Sequence, residues 1–204
     1  MSKIESKEDF MKIWNHTFKC QCQEAGSTVK IAETQREGRG EIFLKFPISN
    51  SSKQFVLQCE LSQGLDISYL RSSKRPDGLV FFVDLAKRII QVYIVELKKT
   101  ITRKLEAANE QINTLFYFIQ SLSLEKCFDV RYYCVIGYQN CNEQSMASKI
   151  MPNIENKFIA KLYDGFLESC KNKKGYIPIR YPFCKFETYE LFSIRFNETL
   201  EIES

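Results

Sequence analysis

Asp77, Glu96 and Lys98 are the residues of this chain whose types and spacing could do chemistry together. Pro76-Asp77-Gly78 is followed, after two short apolar runs, by Glu96-Leu97-Lys98. Two carboxylates supply the oxygen ligands that a hard divalent cation prefers, and a lysine beside them can support a water activated there. That chemistry requires the three groups to meet in space.

The elements that must bring them together are two strands. Leu79 to Val83 and Ile89 to Val95 are rich in Val, Ile, Phe and Tyr and flank the polar-edged segment Asp84-Leu85-Ala86-Lys87-Arg88, which predicts a β-hairpin. Side chains alternate faces along a strand, so Ile90, Val92, Ile94, Glu96 and Lys98 share one face. Opposed positions in an antiparallel pair have residue numbers of constant sum. Setting Asp77 against Glu96 centres the turn between Ala86 and Lys87, the middle of the predicted connection. Directly opposed side chains lie roughly 5 Å apart at Cβ. Two carboxylates so placed repel each other, and a shared cation would relieve the repulsion.

The chain's 204 residues make one domain with room for a sizeable core. Hydrophobic residues at 44% and charged residues at 26% are ordinary for a globular protein and argue against disorder. The formal charge of +4 is too small to diagnose a nucleic-acid binder, but its distribution is informative. Arg71, Lys74 and Arg75 precede Asp77, and Lys98, Lys99, Arg103 and Lys104 follow Glu96, so positive charge brackets the candidate site. The N-terminal residues lack the apolar core of a secretory signal, and no run is long enough to span a bilayer. A cytoplasmic protein with reduced thiols and no membrane partner is the simplest expectation. Cys20-Gln21-Cys22 with His16 could supply part of a zinc site, yet the second paired-cysteine knuckle is missing. Cys127, Cys134 and Cys170 sit among apolar residues and read as small core fillers. His16 is the only histidine, which disfavours chemistry built on histidine pairs or triads. Gly38-Arg39-Gly40 is only a fragment of a phosphate-binding loop.

Around this hairpin, Phe10, Ile13, Trp14 and Phe18 predict an amphipathic helix over about Lys7 to Gly26. Glu41 to Phe46 and Gln54 to Leu61 read as two strands. Leu105, Ala108, Ile112, Leu115, Phe116, Ile119 and Leu122 make one helical stripe, Val130 to Tyr138 a strand, and Glu143 to Cys170 a helical region. Tyr176 to Phe196 reads as a terminal hairpin or a pair of short strands. This order predicts an α/β fold, a mixed β-sheet core flanked by helices.

Pro76-Asp77, the Glu96-Leu97-Lys98 of the next strand, and Glu110-Gln111 with Tyr117 on the following helix together resemble the PD-(D/E)XK nuclease superfamily. The resemblance covers about Leu65 to Gln120 directly and the rest through element order. It implies a restriction-endonuclease-like core over about residues 30–140 of a single domain, with an N-terminal helix and a C-terminal helical and strand elaboration. It further implies Mg²⁺ or Mn²⁺ held by Asp77, Glu96 and the Leu97 carbonyl, with Lys98 acting on the attacking water and Gln111 supporting the site from its helix. The reaction would be hydrolysis of a phosphodiester, in DNA more readily than RNA, with Arg71, Lys74, Arg75, Arg103 and Lys104 on the nucleic acid. An acid from the first helix often completes such sites. Glu33, Glu37 and Glu41 are the candidates, with Glu37 favoured, and Asp66 is a further unassigned acid. Small members of the superfamily often act as homodimers in defence against foreign DNA. The rival expectation is a non-catalytic module that binds nucleic acid or a protein on the same fold.

Overall fold

A strand with a continuous apolar run, such as Leu79 to Val83, must be covered on both faces. Gly78-Leu79-Val80-Phe81-Phe82-Val83-Asp84 is buried at every position, and the architecture of the protein follows from covering it. The computed structural model describes residues 4–15, 18–33, 40–61, 75–148, 156–180 and 186–203. In chain order these form α1 (Lys7–Asn15), β1 (Lys19–Glu24), β2 (Thr28–Ala32), β3 (Glu41–Lys45), β4 (Gln54–Glu60), β5 (Gly78–Asp84) and β6 (Ile89–Thr100). They continue as α2 (Leu105–Ser121), β7 (Asp129–Asn140), α3 (Glu143–Ala147), α4 (Lys157–Asn172), β8 (Gly175–Arg180), β9 (Phe186–Arg195) and β10 (Thr199–Glu201).

Among the described residues, seven strands form one mixed sheet in the order β1-β4-β5-β6-β7-β9-β8, and β10-β3-β2 form a second, three-stranded sheet. β4, β5 and β6 are an antiparallel meander. α2 then carries the chain over to β7, which pairs parallel to β6, and β9 pairs parallel to β7. One face of the large sheet packs Leu79, Phe81, Val92 and Ile94 against Phe10 and Trp14 of α1, Ile112 and Phe116 of α2, and Phe166 of α4. The other face packs Val80, Phe82, Tyr93, Val95 and Leu97 against Val29, Ile31, Ile42 and Leu44 of the small sheet. The result is three layers, helices, large sheet and small sheet, with β5 and β6 in the middle.

Two glycines set how closely the layers approach at the end of β5 and β6 that bears Asp77 and Glu96. A Cβ on Gly78 would lie 2.9 Å from Cδ1 of Ile31, so the end of β2 crosses directly over the start of β5. A Cβ on Gly137, the β7 residue beside Leu97, would lie 2.5 Å from Cδ2 of Leu97 and 2.9 Å from Cγ2 of Ile42.

The mixed α/β sheet with flanking helices, the central hairpin, the helix after it and the terminal hairpin agree with expectation. The first helix does not extend to Gly26. It ends at Asn15, and Lys19–Glu24 is edge strand β1, antiparallel to β4. Polar alternation in Lys-Cys-Gln-Cys-Gln-Glu suits a half-covered edge, with Cys20 and Cys22 turned to the helix-side core. Cys20 Sγ lies 2.7 Å from Sγ of the opposed Cys59. Cys134 is the core filler expected, whereas Cys127 and Cys170 are only half-buried. The two strands expected before the hairpin exist but belong to different sheets: β3 pairs with β2 and β10, and β4 with β5. No helix among the described residues is long and apolar enough to cross a membrane.

Candidate functional site

The β5–β6 pairing runs from Gly78↔Val95 to Asp84↔Ile89, the register expected from the sequence. At Asp77 the chain leaves it. The Asp77 N–H donates to the Val95 carbonyl at 2.9 Å, one residue short of the pairing that the register would continue. Pro76, which has no N–H, stands next and cannot extend the ladder. This step turns the Asp77 carboxylate onto the backbone: Oδ2 accepts from the Leu97 N–H at 2.6 Å. Asp77 is thus clamped at both its backbone and its side chain to the strand that carries Glu96 and Lys98.

Glu96 is completely buried. Its Oε1 is ion-paired with Lys98 Nζ on the same strand face, and Lys98 retains some exposure, so the pair opens toward solvent at the lysine end. Among the described residues Glu96 Oε2 has no hydrogen-bond partner. Burying an acceptor without a partner is costly, so this oxygen has the character of a ligand-directed atom. The Leu97 side chain is buried in the opposite core, against the small sheet. Gln111, on α2, donates from Nε2 to the Arg75 carbonyl at 2.6 Å. Its visible work is to fasten the segment entering Pro76-Asp77 to the helix.

Glu33 joins this group from the small sheet. It follows β2, its N–H is bonded to the Gly40 carbonyl at 3.0 Å, and it interacts electrostatically with Asp77, Lys98 and Lys104. Of Glu33 and Glu41, the two of the three candidate acids that lie among the described residues, Glu33 is the one that feels the charge of Asp77. Glu41 pairs with Lys30 on the small sheet. Glu33 extends a strand, not a first helix. Glu37, Asp66, Arg71, Lys74 and His16 lie outside the described residues. Arg103 and Lys104 are exposed just before α2, with Lys104 at the N-cap position ahead of the helix stripe, and Arg75 is half-buried beside the clamp. Tyr138, one of several strand tyrosines that could stack on bases but are more often packing, lies next to Lys98 in the β6–β7 register and shares its face. Strand parity combined with a parallel crossover could have placed it.

Burial raises the Asp77 pKa above its ordinary value of 3.8, opposed by the Leu97 N–H and by Lys98. Burial and then the Asp77 charge raise that of Glu33, opposed by Lys98 and Lys104. An acid whose pKa is higher in the folded than in the unfolded state favours folding at low pH, and that benefit is lost as pH rises through the two values. Asp77→Asn keeps an acceptor for the Leu97 N–H and removes the titration. The variant is expected to lose less stability than the wild type as pH rises from 3.8 through the raised value. Urea titrations across that interval check it; parallel stability curves for the two proteins would count against the assignment.

The chain matches no protein-family profile, no curated protein and no solved structure. What the site can do therefore rests on its own chemistry. Asp77, Glu96 and Glu33 are oxygen donors of the kind Mg²⁺ and Mn²⁺ take, and the orphaned, buried Glu96 Oε2 fits a cation better than it fits a dry core. Among the described residues no three Asp, Glu, His or Cys side chains are grouped closely enough to enclose a metal ion. Any cation there would complete its shell with backbone carbonyl, water or substrate oxygens, as Mg²⁺ commonly does.

Proposed function

We propose that the protein is a Mg²⁺- or Mn²⁺-dependent nuclease of the PD-(D/E)XK type that hydrolyses phosphodiesters, in DNA before RNA. The observation that carries this reading is the wholly buried Glu96 carboxylate, one oxygen paired with Lys98 and the other without a hydrogen-bond partner among the described residues. The arrangement of elements supports it: the β4-β5-β6 meander, the α2 crossover and parallel β7 build the mixed sheet flanked by helices that the resemblance leads one to expect. Asp77 and Glu96, with the Leu97 carbonyl and Glu33 as further oxygen donors, would hold the cation, which supplies Lewis acidity and a more acidic water when bound. Lys98 Nζ, fixed on the same face, would orient the attacking water and offset the charge that develops on the phosphoryl oxygens. Gln111 would keep Asp77 in position through Arg75. Exposed Lys99, Arg103 and Lys104 would hold flanking phosphates.

Incubation with single-stranded and duplex DNA and RNA, with Mg²⁺, Mn²⁺ or a chelator, tests the proposal. Cleavage is expected only with metal, and Asp77→Ala, Glu96→Ala and Lys98→Ala are each expected to abolish it with the circular dichroism spectrum unchanged. Equal cleavage by all three folded variants would sink it.

A second reading, a non-catalytic module that binds nucleic acid, is favoured by the partners the acids already have: Lys98 pairs with Glu96 through Oε1, and the Leu97 N–H engages Asp77. Such a protein binds without cutting and is indifferent to chelator. Neutralising Arg103 and Lys104 would then weaken binding and flatten its salt dependence, by about one unit of slope for each phosphate left without a cationic partner.

A further inference from the structure

At the edge of the large sheet, two thiols stand closer than unbonded sulfur atoms normally rest. Cys20 of β1 and Cys59 of β4 are directly opposed in the antiparallel register, and their Sγ atoms lie 2.7 Å apart. Directly opposed residues have Cα atoms about 4.5 or 5.5 Å apart, and disulfides span about 4.4–6.8 Å between Cα atoms. A bond between these two sulfurs therefore needs side-chain rotation and no movement of the strands. Both residues are free thiols.

The two sulfurs are not equivalent. Cys59 is buried, whereas Cys20 is half-buried on an outermost strand and is the one a dissolved reagent meets. The Cys20 thiol donates to the Phe18 carbonyl at 3.6 Å, which leaves its lone pairs to accept from Cys59. Burial, and then the contact with Cys20, push the Cys59 thiol up and keep its proton on it. Cys22, next on the same strand face, is opposed to Leu57 and not to a sulfur.

We propose that Cys20 and Cys59 form a reversible thiol–disulfide site that reacts with small-molecule disulfides and, once oxidised, ties edge strand β1 to β4. The Cys20 thiolate, its proton released to water, attacks one sulfur of the small disulfide. The S–S bond of that molecule breaks, and one thiolate leaves and takes up a proton. The Cys59 sulfur then gives its proton to solvent, attacks the Cys20 sulfur and displaces the second small thiol. Two protein thiols have lost two electrons, and the small disulfide has become two thiols. An excess of small thiol runs the same steps backwards. Because Cys59 already touches Cys20, the second step is intramolecular and the mixed disulfide does not accumulate. The bond joins residues 39 apart, and the loop it closes contains β2 and β3. Oxidation thus also restrains the hairpin that crosses Gly78 beside the candidate site.

The test treats the full chain with glutathione disulfide at about pH 8, where thiolates form readily. Free thiols are then blocked with N-ethylmaleimide and peptides mapped by mass spectrometry without reduction. A Cys20–Cys59 linkage is expected, reversed by dithiothreitol, with a melting temperature at least about 4 °C above that of the reduced protein. In Cys20→Ser, the linkage and the difference between oxidised and reduced melts are both expected to vanish. Should that variant not fold, Cys22→Ser is expected to keep both. A stable glutathione adduct on Cys20 with Cys59 still alkylatable, a linkage of Cys20 to Cys22, or a linked protein that melts no higher than the reduced one would overturn the proposal. No readout involves nucleic acid, so the result stands apart from the nuclease reading.

Discussion

Glu96→Gln is expected to lower metal-supported cleavage by roughly 10³-fold, about 4 kcal/mol of barrier at 1.36 kcal/mol per decade, with the fold retained. The substitution keeps shape and volume in a site with no exposure at all. Gln has one acceptor and one donor group. Turning the carbonyl oxygen toward Lys98 preserves that contact and leaves an –NH₂ where Oε2 stood, a donor aimed at the place a cation would occupy. Turning it the other way sets –NH₂ against an ammonium group. Either rotamer removes a unit of negative charge from the only completely buried carboxylate of the described site. Single-turnover cleavage of an end-labelled duplex, alongside a thermal melt, gives both numbers. Activity within tenfold of wild type would remove Glu96 from the chemistry.

Lys98→Met is expected to cost about 3–5 kcal/mol of folding stability, the usual penalty for leaving one member of a buried ion pair unpaired. That is a large share of the roughly 5–15 kcal/mol that holds a domain together. The penalty is asymmetric because the two partners are buried differently. Glu96 has no exposure, whereas Lys98 stands at the exit with 15% of its side chain exposed. A lysine that loses its partner can swing its ammonium group to water, but a buried glutamate cannot follow. The double variant Glu96→Gln/Lys98→Met should therefore recover most of the stability and none of the activity. Urea unfolding of the four proteins in the cycle measures the coupling. A loss below about 1 kcal/mol in Lys98→Met would show that the carboxylate finds other compensation.

The hairpin and its register were legible because both signals are local. β-Branched and aromatic runs define the strands, and the position of the turn determines which residues face each other. α2 was legible from its apolar stripe. The edge strand β1 was not: in Lys19–Glu24 only Cys20 and Cys22 alternate with polar residues, too short a signal to mark a strand, and what makes it one is its pairing with Gln58 and Cys59 of β4, 37 and 39 residues away along the chain. Nor could it be read that β3 and β4, adjacent in sequence, belong to different sheets, since the choice depends on β10.

The candidate site divides in the same way. Asp77, Glu96 and Lys98 follow from strand parity. The third acid stayed open among Glu33, Glu37 and Glu41 because only the crossing of β2 over Gly78 brings Glu33 to Asp77. The step out of register at Asp77, and with it the Leu97 clamp, depends on backbone hydrogen bonds that residue types alone do not specify.

The parallel pairing of β10 with β3 joins Leu200 to Leu44, and this long closure sets an order in time. As the chain emerges during synthesis, β4 to β7 and α2 are complete by Asn140, so Asp77, Glu96 and Lys98 can assemble early. The small sheet that carries Glu33 cannot close until residue 201 is available. Contacts between such distant parts of a chain form slowly. The β2–β3 hairpin that carries Glu33 pairs locally and needs no β10 to form, so the acid's strand is made early and only the hairpin's outer edge is sealed at the end.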